Sequence, residues 1–143
     1  MRRTMNQQPN ESGPSGPLVL CVDDEALVGQ VVARILETRL DCRVVYASSG
    51  RDALRRLDEA EFDAMVIDYV MPGMDGGELY RRVARRRPGL AGRCLFITGD
   101  TLTPKTLDRI RRIGQPFLEK PFGMPELTAA VQGLLTTSQS LRS

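Results

Sequence analysis

A chain of 143 residues and 15.9 kDa has room for one ordinary domain, and 41% apolar with 27% charged residues is the balance of a soluble globular protein. It contains no histidine and only three cysteines. That excludes a Ser-His or Cys-His nucleophile pair, a His-based metal site, a phosphohistidine and a four-ligand Cys/His zinc site within one chain. The formal net charge of +2 gives no overall field that would mark a nucleic-acid binder.

Cys21, Cys42 and Cys94 each sit in an apolar stretch and read as buried thiols of a reducing compartment. No apolar run approaches the ~18 residues of a membrane span, and the N-terminus has no signal-peptide core. The expected location is therefore the cytoplasm.

Residues 1–17 are rich in Pro, Gly, Ser, Asn and Gln, too poor in apolar surface to offset ordering entropy, and read as a disordered tail or linker. A compact domain is expected over 18–136, with a flexible tail over 137–143. Leu18–Val22 is a short continuous apolar run, the mark of a strand buried on both faces. From Glu25 to about Thr38 the spacing turns helical, with Leu27 or Val28, Val31, Val32 and Ile35 expected inward. Arg43–Ala47 is a β-branched strand, and Ser49 caps a helix carrying Ala53, Leu54 and Leu57. Ala64–Ile67 is a third buried strand.

After a Pro/Gly-rich loop, Asp75 caps a helix with Leu79 and Val83 inward and Arg81, Arg82, Arg85 and Arg86 outward. Cys94–Thr98 is a fourth strand. Pro104–Ile113 is a helix entered through proline and closed at Gly114. Phe117–Glu119 is a short fifth strand, and Met124–Leu135 a fifth helix with Leu127, Val131 and Leu134 in one stripe. Short apolar strands alternating with helices predict an α/β fold whose parallel sheet is covered on both faces. In such sheets the working site lies beyond the carboxyl ends of the strands.

The polar residues at those ends form a set. The first strand ends in Asp23-Asp24-Glu25, the third in Asp68, the fourth in Thr98 and the fifth in Lys120-Pro121. Two like charges ~4 Å apart repel by roughly 4 kcal/mol at an effective dielectric near 20, so clustered carboxylates need compensation. A hard divalent cation supplies it, and Mg²⁺ takes one or two carboxylates while keeping positions for water and phosphate oxygens. Lys120 offers a compact positive charge for a phosphoryl oxygen and Thr98 a hydroxyl. An Asp with a free carboxylate oxygen is then a candidate nucleophile for phosphoryl transfer.

With these residues at these spacings, the sequence resembles the receiver (CheY-like) domains of bacterial two-component response regulators. The loop Asp68-Tyr-Val-Met-Pro-Gly-Met-Asp-Gly76 and the segment Phe117-Leu-Glu-Lys-Pro-Phe122 are also similar to that family's, and the likeness runs from about Leu18 to Leu135. The resemblance implies a flavodoxin-like, doubly wound (βα)5 fold with strand order 2-1-3-4-5. It implies Asp68 as the phospho-accepting residue. Asp24 and Asp68 would bind Mg²⁺ directly and Asp23 through water, with the Val70 backbone carbonyl as a further ligand. Lys120 would pair with the phosphoryl group, Thr98 would swing in to hydrogen-bond it, and Phe117 would follow as the switch aromatic. The Lys120–Pro121 bond is expected to be cis.

The donor would be a sensor histidine kinase or a histidine phosphotransfer protein. Phosphorylation would switch a surface made by the fourth helix, fifth strand and fifth helix toward a downstream protein, with a phosphorylation-dependent homodimer left open. Arg81, Arg82, Arg85, Arg86 and Arg87 read as a solvated helix face, without direct nucleic-acid binding, because aromatic interleaving is limited to Tyr80. Arg109, Arg111 and Arg112 read as part of a partner surface.

Departures from the family pattern qualify this reading. Phe117 lacks the hydroxyl that many relatives carry. Val70 and Asp100 stand beside the site and are expected to tune hydrolysis of the acyl phosphate, Val70 by shielding and Asp100 by attracting water or metal. Gly123 replaces a polar N-cap. A Mg²⁺-dependent phosphatase working through an aspartyl phosphate is a rival, but such enzymes need an acid where Val70 stands. A degenerate receiver, acting as a phosphorylation-independent interaction module, is another. The chain reads as a non-enzyme beyond self-phosphorylation and autodephosphorylation at Asp68. Little follows Leu135, which fits either a single-domain response regulator or the receiver of a hybrid sensor kinase.

Overall fold

The computed structural model describes residues 16–99 and 103–142. Most of the expected N-terminal tail, and Asp100, lie outside the described residues. Five strands, β1 (Leu18–Val22), β2 (Arg43–Ala47), β3 (Ala64–Asp68), β4 (Cys94–Thr98) and β5 (Phe117–Glu119), form one sheet in the order β2-β1-β3-β4-β5. Every pairing is parallel. The helices are α1 (Ala26–Arg39), α2 (Gly50–Leu57), α3 (Gly76–Arg86), the single turn α4 (Pro88–Ala91), α5 (Pro104–Ile113) and α6 (Met124–Arg142).

Alternation along the buried strands builds two cores. Leu18, Leu20 and Val22 of β1, with Met65 and Ile67 of β3 and Cys94 and Phe96 of β4, face α2, α3 and Ile110 of α5. Val19, Cys21, Ala64, Val66, Leu95 and Ile97 face α1 and α6. Helices thus cover both faces, and the α/β doubly wound architecture expected from the alternation is the one observed. Cys21, Cys42 and Cys94 are buried free thiols. Among the described residues no helix is long and apolar enough to cross a membrane.

Local signals account for the helix ends. Ser49 Oγ accepts from Asp52 N–H (3.0 Å) at α2, Asp75 Oδ1 from Glu78 N–H (2.9 Å) at α3, and Thr103 Oγ1 from Thr106 N–H (3.1 Å) at α5. Gly114, at φ +86°, closes α5 in the left-handed region that favours glycine. At the start of α6, Glu126 reaches back to the Gly123 N–H (2.8 Å), supplying half of a capping box where Gly123 has no side chain to offer.

Four boundaries or faces differ from the sequence reading. Strand β3 includes Asp68, because Asp68 still pairs with Ile97 of β4. The turn α4 forms because Pro88 starts it and Leu90 and Ala91 are buried beneath it. Helix α6 runs to Arg142, past the expected end near Leu135. Its extension is permitted by the lack of a Gly or Pro there; within it the Thr136 and Thr137 hydroxyls donate to the carbonyls of Gln132 (2.9 Å) and Gly133 (3.1 Å).

The largest difference is in the face that α1 buries, where Val32 is inward and Ile35 packs against the core as expected but Leu27 and Val31 are not buried. Its buried residues are Gly29, Val32 and Leu36, whereas Leu27 and Val31 are 78% and 55% exposed. The glycine sets this face: it lets the helix approach the Tyr46 ring of β2 so closely that a Cβ at position 29 would lie 2.3 Å from Cε1.

Candidate functional site

The site stands at the carboxyl edge of the sheet. Asp23 follows β1, and its N–H donates to the Ala47 carbonyl of β2 (3.1 Å), continuing the ladder one residue past the strand. Asp68 is the last residue of β3, and Tyr69 N–H donates to Ile97 of β4 (2.9 Å). Thr98 ends β4, and its carbonyl accepts from Lys120 N–H (2.8 Å), which ties the start of the β5–α6 loop to the same edge. The Lys120–Pro121 peptide is cis, as expected.

The sheet brings together the carboxylates that the sequence spreads over 46 positions: oxygens of Asp23, Asp24 and Asp68 lie within 4.8 Å of one another. Asp23 and Asp68 are buried and Asp24 is exposed. Burial and mutual repulsion both oppose ionisation. Asp68 is pushed up to about 7, first by desolvation and then by the Asp23 charge, against the pull of Lys120 and of the Val70 N–H. Desolvation likewise raises Asp23, opposed by the Glu25 N–H on its Oδ1 (2.8 Å) and by the Lys120 charge. Such an all-oxygen, over-charged cluster is what a hard divalent cation neutralises, so the residues present fit Mg²⁺.

The remaining expected residues are placed as follows. Thr98 is buried, and its hydroxyl donates to the Leu118 carbonyl of β5 at a long 3.4 Å. Phe117 is half-buried and packs against the Phe96 side of the core. Val70 exposes 48% of its surface beside Asp68 while its backbone N–H points at the Asp68 carboxylate. The arginines at 81, 82, 85 and 86 are exposed. Arg82 pairs with Glu78 (2.7 Å), Arg86 donates to the Leu54 carbonyl (3.1 Å), and Arg87 donates to the Leu57 carbonyl (3.1 Å).

Sequence reasoning missed Tyr46. Its hydroxyl donates to the backbone carbonyl of Asp23 (2.5 Å), and its ring fills the notch left by Gly29. The available signal was an aromatic with a polar tip in an otherwise aliphatic strand, and a glycine within an amphipathic helix. Neither specifies a partner without the fold.

Residues 19–132 match the family model described as "Response regulator receiver domain". The chain is 32% identical over 126 residues to the transcriptional regulatory protein TrcR of Mycobacterium tuberculosis, covering 86% of this chain and 47% of the relative. It is 34% identical over 121 residues to the sensor kinase CckA of Brucella abortus, covering 82% of this chain and 12% of that protein. The chain thus spans about half the length or less of these curated relatives. Among solved structures, Vibrio cholerae chemotaxis protein CheY4 superposes with a TM-score of 0.74 at 28% identity, over 85% of this chain and all of that one. A Clostridium thermocellum receiver domain protein superposes at 0.78 and 23% identity, over 88% and 99%, and shares the fold. With a family match across most of its length, a doubly wound sheet in the order 2-1-3-4-5 and an acidic cluster at its carboxyl edge, this chain belongs to the receiver domains of two-component response regulators.

Proposed function

We propose that this receiver accepts a phosphoryl group on Asp68 with Mg²⁺ held by the acidic cluster, and that the acceptance switches a protein-binding surface. The observation that carries the reading is the convergence of Asp23, Asp24 and Asp68 within 4.8 Å, with the Lys120 charge acting on two of them. Asp24 and Asp68 would hold the ion directly, Asp23 would act through water, and the Val70 carbonyl would complete the protein's share. Bound Mg²⁺ would neutralise the charge on the phosphoryl oxygens.

The chain's own residues perform the rest. An Asp68 carboxylate oxygen forms the new P–O bond as the donor's bond to its leaving group breaks. Lys120 holds a phosphoryl oxygen by charge. The Thr98 hydroxyl exchanges its long bond to Leu118 for the phosphoryl group, and Phe117, the first residue of β5 and packed against the core, follows into the space beside it. These movements bias the surface of α5, β5 and α6 between two arrangements.

The phosphoryl donor is a sensor histidine kinase or a histidine phosphotransfer protein, and the output is docking on a downstream protein rather than contact with nucleic acid or turnover of a substrate. Three buried free thiols support work in the reducing cytoplasm. The test is intact-protein mass after incubation with acetyl phosphate and Mg²⁺. One phosphoryl adduct on the wild type, absent from Asp68→Asn and prevented by a chelator, is the expected result. No adduct under conditions that phosphorylate a control receiver would replace this reading with that of a phosphorylation-independent module.

A further inference from the structure

We infer that Tyr46 is a positioning residue for the acidic cluster, holding the Asp23–Asp24 peptide in the orientation that binds the divalent cation. The inference rests on the metal reading above. Val22, whose Cα partner is Ala47, is the last paired residue of β1, and a single backbone bond from Asp23 carries the ladder one residue further. The two acids lie just past that end, where mutual repulsion favours splaying. Strand β2 holds Asp23 there from both sides. The Asp23 N–H donates to the Ala47 carbonyl (3.1 Å), and the Asp23 carbonyl accepts from the Tyr46 hydroxyl (2.5 Å).

That second carbonyl belongs to the peptide bond joining Asp23 to Asp24. Because the peptide is planar, fixing its oxygen also fixes the direction in which the chain enters Asp24. One hydroxyl thereby sets the relative placement of two of the three carboxylates. The hydroxyl in turn is aimed by its ring. A Cβ at Gly29 would meet Tyr46 Cε1 at 2.3 Å and Cδ1 at 2.8 Å, and would stand 3.2 Å from the Asp23 Cβ. Gly29, Tyr46 and Asp23 thus meet at one point, and glycine, unfavourable inside a helix, is what leaves room for the ring.

Tyr46→Phe keeps the ring and removes only the hydroxyl, so the fold is retained. Mg²⁺ binding by titration calorimetry is expected to weaken about three- to tenfold, the range for a lost hydrogen bond that orients a ligand. With acetyl phosphate, the half-saturating Mg²⁺ concentration should rise by the same factor while the rate at saturating Mg²⁺ stays within about twofold. Gly29→Ala, which displaces the ring, should weaken Mg²⁺ binding in the same direction. A core variant far from the site, Leu57→Val, loses stability but keeps wild-type affinity, separating positioning from general loosening. Tyr46→Phe with Mg²⁺ affinity within twofold of wild type would overturn the inference alone. A wild type that binds no Mg²⁺ would overturn the metal reading and the inference with it.

Discussion

At the scale of single residues, the site is a set of groups held in states they would not choose in water. Asp68 is buried with a second buried carboxylate close by, and among the described residues Lys120 and the Val70 N–H oppose the cost. Beside it, Val70 is a different kind of residue: an aliphatic side chain, half-exposed, at the mouth of the site. Its aliphatic side chain cannot hydrogen-bond an attacking water. Replacing it with a side chain that orients water should therefore shorten the life of the aspartyl phosphate. For Val70→Asn the expected acceleration of dephosphorylation is about fivefold, the rate equivalent of one ~1 kcal/mol hydrogen bond. Decay of the phosphoryl adduct, followed by mass after removal of acetyl phosphate, measures it. An unchanged or longer lifetime would remove Val70 from the control of hydrolysis.

At the scale of elements, the sequence was most legible where one rule determined the outcome. The continuous apolar runs of β1 and β4 have no polar face to misassign, and the caps at Ser49 and Asp75 follow from the donors a helix leaves unpaired. The carboxylate cluster was legible because strand ends share an edge, so residues distant in sequence could be brought together without side-chain detail. On helix α1 the extent was legible and Val32 lies inward as expected, but part of the buried face was not legible. Of the residues expected inward, Leu27 and Val31 are largely exposed, while Gly29 is buried against the Tyr46 ring, a tertiary contact with no local signature. The difference is measurable. Leu36→Ala, from the buried stripe, should cost about 2–5 kcal/mol by denaturant unfolding. Leu27→Ala, 78% exposed, should stay within about 0.5 kcal/mol. Equal costs would place both residues in the core.

At the scale of the whole molecule, the acidic edge makes stability depend on pH and, with the proposed Mg²⁺ bound there, on the cation as well. Asp68 has a folded-state pKa of about 7, against 3.8 for an unperturbed aspartate. Between those values the metal-free folded state binds the proton more tightly than the unfolded chain, so this group's stabilising contribution is complete below about pH 4 and is lost as pH rises through 7. Mg²⁺ acts in the opposite sense, because it binds the ionised carboxylates and competes with the proton. Below pH 7 its apparent affinity should fall by up to about tenfold per pH unit through this group, and the stabilisation it gives, RT ln(1 + [Mg²⁺]/Kd), should shrink accordingly. The rise in Tm produced by a fixed Mg²⁺ concentration is therefore expected to be large at pH 8 and nearly absent at pH 5. Other carboxylates titrate over the same range, so the contribution of Asp68 is read as the difference between wild type and Asp68→Asn. Without metal at pH 8 that variant should be the more stable, by on the order of 2 kcal/mol, since it removes a charge buried beside another. Its advantage should disappear toward pH 4, and its response to Mg²⁺ should be weak throughout. An increment in Tm that is the same at pH 5 and pH 8 would show that the cation binds somewhere other than Asp68. A wild type more stable than Asp68→Asn without metal at pH 8 would show that Lys120 outweighs the repulsion, and that the edge is a balanced ion pair instead of a cluster waiting for its counter-charge.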